Sequence, residues 1–154
     1  MLENLESFLS EKKQRMEEQS KNFSSAKQDW LQRIDSLYKT IESWLGPLLE
    51  KQYASISYST VLVSEELLGT YEAPAMTVTF FSGEKVVLVP KGLHIIGGKG
   101  RVDMKLGLRE VMIVGQEEEP GWFLAERVGR GKPRNFDFSQ ENVEEMLQDL
   151  LETM

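Results

Sequence analysis

The stretch TFFSGEKVVLVP, residues 79 to 90, sets two β-rich runs on either side of Ser82-Gly83-Glu84. A short glycine-containing break between two such runs is the pattern of a β-hairpin, so these strands are neighbours and antiparallel. Working outward, AMTVTFF (75–81) alternates Met76, Val78 and Phe80 against Thr77 and Thr79, the period of a half-buried strand. Further upstream LLGTYE reads as a weaker strand closed by Pro74, and ISYSTVLV (56–63) as a strand presenting Ile56, Tyr58 and Leu62 together. Downstream lie LHII (93–96), RVDMKL (101–106), EVMIV (110–114) and WFLAERV (122–128). Parallel pairing needs crossover helices of a dozen or more residues, and these gaps are too short. The expectation is an antiparallel sheet of about six or seven strands.

Helices flank the sheet. Leu2, Leu9, Met16, Phe23, Trp30, Leu37 and Trp44 recur every seven residues, which keeps one side of a helix apolar from residue 2 to about residue 45. From Trp30 onward Leu31, Ile34, Tyr38, Ile41, Leu45 and Leu48 broaden the stripe to the width of a helix lying on a core. Before Trp30 the stripe is narrow, with Leu5 and Phe8 as its further large members, closer to a two-helix seam. SKNFSS (20–25) contains poor helix formers and marks a candidate break. Gly46 and Pro47 end the helix, or leave room only for a short turn through Leu48 and Leu49. At the other end, Ser139 is suited to cap a helix, Glu141 suits its positive end, and Phe138 with Val143 fits a hydrophobic staple. Val143, Met146, Leu147, Leu150 and Leu151 make its apolar stripe. The class is α+β, divided into an N-terminal helical region (1–50) and an antiparallel sheet with a C-terminal helix (51–154).

Composition narrows the chemistry. The 154 residues are 40% hydrophobic and 28% charged, which is globular usage, and the absence of cysteine excludes disulfides, thiolate metal sites and cysteine nucleophiles. Acidic and polar residues interrupt the opening MLENLESFLSEKKQ, leaving no signal-peptide core, and no apolar run is long enough to span a membrane. A cytoplasmic protein is expected. The formal charge of −7 is unevenly spread, with residues 84–109 and 127–134 each carrying +4 among acidic neighbours. The overall field opposes duplex nucleic acid, while the two basic segments favour a smaller anion.

Each candidate for chemistry has a structural counterpart. IIGGKGR (95–101) has the glycines and cations of a phosphate loop, yet such loops feed a helix N-terminus and RVDMKL alternates like a strand. A glycine-rich turn between strands accounts for it. Asp103-Met104-Lys105 resembles the acidic-x-Lys element of metal-dependent nucleases, with Glu84 as the upstream acid. Arg101, Asp103 and Lys105 alternate with Val102, Met104 and Leu106, so three charges on the solvent face of a strand also explain the pattern. His94, the single histidine, sits between Leu93 and Ile95 and reads as a partly buried structural residue. The serines lack a G-x-S-x-G or S-x-x-K setting. Glu117, Glu118 and Glu119 read as a solvated loop tip.

Anion binding, where it occurs, is expected from Lys99, Arg101, Arg127, Arg130, Lys132 and Arg134, with GRGKPRN (129–135) as a basic loop. No metal, cofactor or catalytic residue is assigned. The functional expectation is a non-enzymatic binding protein whose N-terminal helix joins a second copy or a protein partner through Leu2, Leu9, Met16 and Phe23. The alternative is a small enzyme or an anion- or nucleic-acid-binding module built on residues 99–109 and 127–134, in its sharpest form a nuclease using Asp103 and Lys105.

Overall fold

The computed structural model describes residues 2–95, 98–116, 121–126 and 134–152, with the backbone alone at residues 2 and 3. Helix α1 (Leu2–Trp44) leads through a short α2 (Gly46–Glu50) into strands β1 (Ala54–Glu65), β2 (Gly69–Phe80), β3 (Lys85–Ile95), β4 (Gly98–Leu106), β5 (Arg109–Gly115), β6 (Trp122–Glu126) and β7 (Arg134–Asp137), and α3 (Gln140–Glu152) closes the chain. The seven strands form one sheet in sequence order, each antiparallel to the next. The fold is α+β, as the alternation and short gaps require.

Several boundaries differ from the sequence expectation. α1 passes through residues 20–25 without a break, because a helix of this length needs more than a few poor formers to interrupt it. LLGTYE is no separate strand: Leu67 and Leu68 lie in the β1–β2 turn and the rest opens β2, so Pro74 sits inside a strand. LHI likewise continues β3 past Pro90. Arg134 and Asn135, expected in a loop, begin β7.

The two prolines explain how such long strands coexist. β2 pairs with β3 only from Met76↔Leu88 to Thr79↔Lys85, and two steps beyond Met76 in that register Pro74 would face Pro90. Neither carries an N–H, so the ladder cannot continue. β2 stays with β1 as far as Gly69, β3 stays with β4 through a bulge between Pro90 and Gly92, and the two diverge. Tyr38 of α1 fills the split: its hydroxyl donates to the Pro74 carbonyl at 2.8 Å, with the Leu88 carbonyl a second acceptor at 3.3 Å. Past it, burial on β2 changes from even-numbered Met76, Val78 and Phe80 to odd-numbered Tyr71 and Ala73.

Trp30 wedges into the same opening. Its indole N–H donates to the Tyr71 hydroxyl at 3.0 Å, Tyr71 donates to the Glu65 carboxylate, and Glu65 Oε1 accepts from the backbone N–H of Leu93 and His94, each at 2.9 Å. This polar chain ties α1 to the ends of β1, β2 and β3. The rest of the core is apolar, with Ile34, Leu37 and Ile41 of α1 and Val143, Leu147 and Leu150 of α3 meeting Val78, Leu88, Met104, Ile113 and Leu124 of the sheet. Ser139 caps α3 through a 3.2 Å bond from the Asn142 N–H, and Phe138 packs on Trp44 with ring centroids 4.9 Å apart.

Candidate functional site

The heptad stripe of α1 has two environments. Trp30 and Leu37 are 0% and 1% exposed, whereas Leu9, Met16 and Phe23 are 51%, 61% and 37% exposed. Leu5 and Phe8 are exposed too, and the Leu2 side chain lies outside the described residues. Two adjoining grooves follow the uncovered stripe. One, of about 520 Å³, is lined by Leu9, Lys12, Lys13, Met16, Glu17 and Ser20. The other, of about 500 Å³, lies between Met16 and Phe23 of the helix and Leu67 and Leu68 of the β1–β2 turn. Leu67 is itself exposed, so the apolar surface crosses from the helix to the hairpin.

The charged candidates sit elsewhere. Arg101, Asp103 and Lys105 share the sheet face opposite Val102, Met104 and Leu106, as their alternation requires, but Asp103 is not solvent-facing: it is 0% exposed. Arg101 grips it with two bonds, Nε to Oδ1 at 2.6 Å and NH2 to Oδ2 at 2.9 Å, and Val89 and Met112 flank it on the neighbouring strands. Long side chains on both sides screen a short one. The Asp103 contact raises the pKa of the Arg101 guanidinium, which stays charged. Lys105 lies 3.8 Å from Glu110, and Arg101 3.9 Å from the same residue.

Asp103 is closed off from solvent, with Arg101 bound to both of its oxygens. Glu84, the candidate second acid, accepts from Ser82 in the β2–β3 turn, five residues along β3 from the Val89 that pairs with Asp103, roughly 16 Å at strand spacing. Among the described residues no group of three or more histidine and acidic side chains is placed to hold a metal.

The glycines around Lys99 serve packing within a strand. A Cβ at Gly100 would fall 2.3 Å from the Trp30 ring, one at Gly98 2.4 Å from Val114, and one at Gly115 2.2 Å from Arg33. Lys99 contributes its backbone carbonyl, which accepts from Arg33 at 2.9 Å, while the residue itself is exposed. Arg33 lies over Trp122 at 4.8 Å and Trp30 at 5.7 Å, and its buried NH2 has no hydrogen-bond partner among the described residues. Burial lowers its pKa. A cleft of about 600 Å³ opens beside it, lined by Trp30, Leu93 and Trp122 among others.

The expected anion-binding set is only partly placed. Lys99 and Arg101 are on β4, and Arg134 stands over Phe136 on β7, three strands away and roughly 14 Å at strand spacing. Arg127, Arg130 and Lys132 lie outside the described residues, as do Glu117, Glu118 and Glu119. His94 is exposed, its Nδ1 3.6 Å from Glu65. Sequence reading passes over Glu65, Tyr71, Arg33 and Lys91. Glu65 has no signature because its acceptors serve backbone N–H groups. Arg33 had one, three residues after Trp30 on a helix whose apolar side is buried.

Comparison with protein-family models, with curated proteins and with solved structures finds no match for this chain.

Proposed function

We propose that this chain is a non-enzymatic interaction protein that self-associates through the N-terminal half of α1. The observation that carries the reading is the heptad stripe itself, which continues in phase from fully buried Trp30 and Leu37 to open Phe23, Met16 and Leu9. A sequence that needed only a solvated extension would place polar residues there. Residues 2–25 form about 36 Å of helix at ~1.5 Å per residue. Folding back near residues 20–25 would have covered the stripe within one chain, and the helix runs straight through. A second copy brings the same stripe and buries both.

The test places charge in the seam. Leu9→Glu with Met16→Glu should convert an associated wild type to monomer in sedimentation at tens of micromolar, with the sheet's thermal transition retained. A wild type that sediments as a monomer at that concentration rejects the reading.

A further inference from the structure

The cleft beside Arg33 carries a second feature, independent of the helix seam. A guanidinium has five N–H donors and a permanent charge. At Arg33 one acceptor among the described residues meets it, the Lys99 carbonyl, which takes a bond from NH1 at 2.9 Å on the exposed side of the fork. NH2 is sealed from water and has no partner among those residues. It occupies the space a Gly115 side chain would take, since a Cβ there would fall 2.2 Å from it. The guanidinium carbon stands 4.8 Å from the Trp122 ring centre and 5.7 Å from that of Trp30, and the two rings are 6.0 Å apart. Stacking offsets part of the lost hydration but gives NH2 no acceptor oxygen. No carboxylate among the described residues pairs with Arg33, and burial alone lowers its pKa.

The cleft, about 600 Å³, is the size of a small-molecule site. Ala26, Leu93 and Trp122 give it apolar walls, and Arg33, Lys99 and Asp29 give it charge. Two cations against one acid suit a single negative charge better than a phosphate dianion. Lys99 and Asp29 are exposed, so water screens them, and the half-buried guanidinium exerts the stronger pull. We infer that this cleft binds a small carboxylate with a flat apolar body, the carboxylate on Arg33 NH1 and the body against Trp122. NH1 has a second hydrogen beyond the one given to Lys99. An anion there supplies the counter-charge that the described residues do not give the fork, through a charge-assisted hydrogen bond.

The experiment titrates the full chain with naphthoate and, separately, with naphthylmethanol, following the Trp122 indole N–H resonance. The two probes share one ring system, so the difference between them isolates the carboxylate. Naphthoate should shift the resonance saturably at low-millimolar concentration and bind about tenfold tighter than the alcohol, the margin of one charge-assisted hydrogen bond. Arg33→Gln should bring the two to equal affinity, and Lys99→Gln, on an exposed side chain, should weaken naphthoate by about twofold. Should Arg33→Gln fail to fold, the two wild-type affinities still decide. Equal affinity of acid and alcohol in the wild type, no saturable shift of Trp122 with naphthoate, or a tenfold margin retained in folded Arg33→Gln overturns the site. The cleft lies on the half of α1 that is built into the core, so none of these outcomes bears on self-association.

Discussion

The two halves of α1 obey the same seven-residue rule and meet opposite fates. From Trp30 to Leu45 the stripe lies on the sheet with Ile34, Leu37, Tyr38 and Ile41 out of water, while from Leu5 to Phe23 the same phase faces solvent. What separates them is width and chemistry, since the second half adds apolar residues between the heptad positions and polar groups that answer specific vacancies in the sheet. Tyr38 answers the split at Pro74 and Pro90, and Trp30 answers Tyr71 and the space over Gly100. The first half offers a narrow stripe and no such polar match, which is how a seam between like helices differs from a helix built into a core.

The largest test of this contrast replaces the last open and the first buried aromatic. Trp30→Ala empties a fully buried site and removes the hydrogen bond to Tyr71, so it should cost about 3–5 kcal/mol. Phe23→Ala, seven residues earlier on the same stripe, should cost less than about 1 kcal/mol in a dilute denaturant titration where the chain is monomeric. Equal losses would mean that the two halves share one core and would erase the distinction.

The same contrast shows what the sequence made legible. The hairpin at Ser82-Gly83-Glu84, the alternation of β2 and β4 and the heptad stripe all follow from local periods, and each appears in the fold. The joins did not. Pro74 read as the end of a strand because a proline's effect depends on which edge it faces, and that edge is set by where β3 stops pairing. Asp103 read as solvated because alternation gives a residue's side of the sheet, not the reach of Arg101 across it. Lys91 was invisible because a bulge depends on register between strands. For the candidate surfaces, the exposed stripe was legible in Leu9, Met16 and Phe23, whereas the closing of Arg101 over Asp103 on the other face needed three dimensions.

A middle-sized test probes the polar match at Tyr38. Tyr38→Phe keeps the packing and leaves the Pro74 and Leu88 carbonyls without their shared donor, a loss of about 1–3 kcal/mol near neutral pH. Burial pushes the Tyr38 hydroxyl well above the ordinary tyrosine range, with the neighbouring Tyr58 adding to the effect. A pKa raised in the folded state gives stability that is complete below the unfolded value of about 10 and is lost as pH climbs from there toward the folded value. The phenylalanine variant has no such loss. The stability gap between wild type and Tyr38→Phe should therefore narrow above pH 10, and a gap that stays constant to pH 12 would show that the hydroxyl ionises as readily in the fold as in water.

The smallest effect is expected in the open half, and it separates helix formation from core packing. Ser10 and Ser25 are exposed and lie off the heptad stripe, so replacing each with alanine changes helix propensity by about 0.5 kcal/mol while touching neither the core nor the proposed seam. A helix half whose apolar stripe is largely open can pass little of that gain to the unfolding of the sheet. The global denaturation midpoint should barely move. Helical signal in the monomer should rise slightly. Association should tighten by about fivefold if half of the roughly 2 kcal/mol of propensity gained over the pair of helices lowers the ordering cost, because each copy then enters the seam already folded. If Ser10→Ala with Ser25→Ala instead raises the unfolding midpoint of the sheet by the full propensity gain while association is unchanged, the open half belongs to the cooperative core and the division of α1 between Phe23 and Trp30 fails.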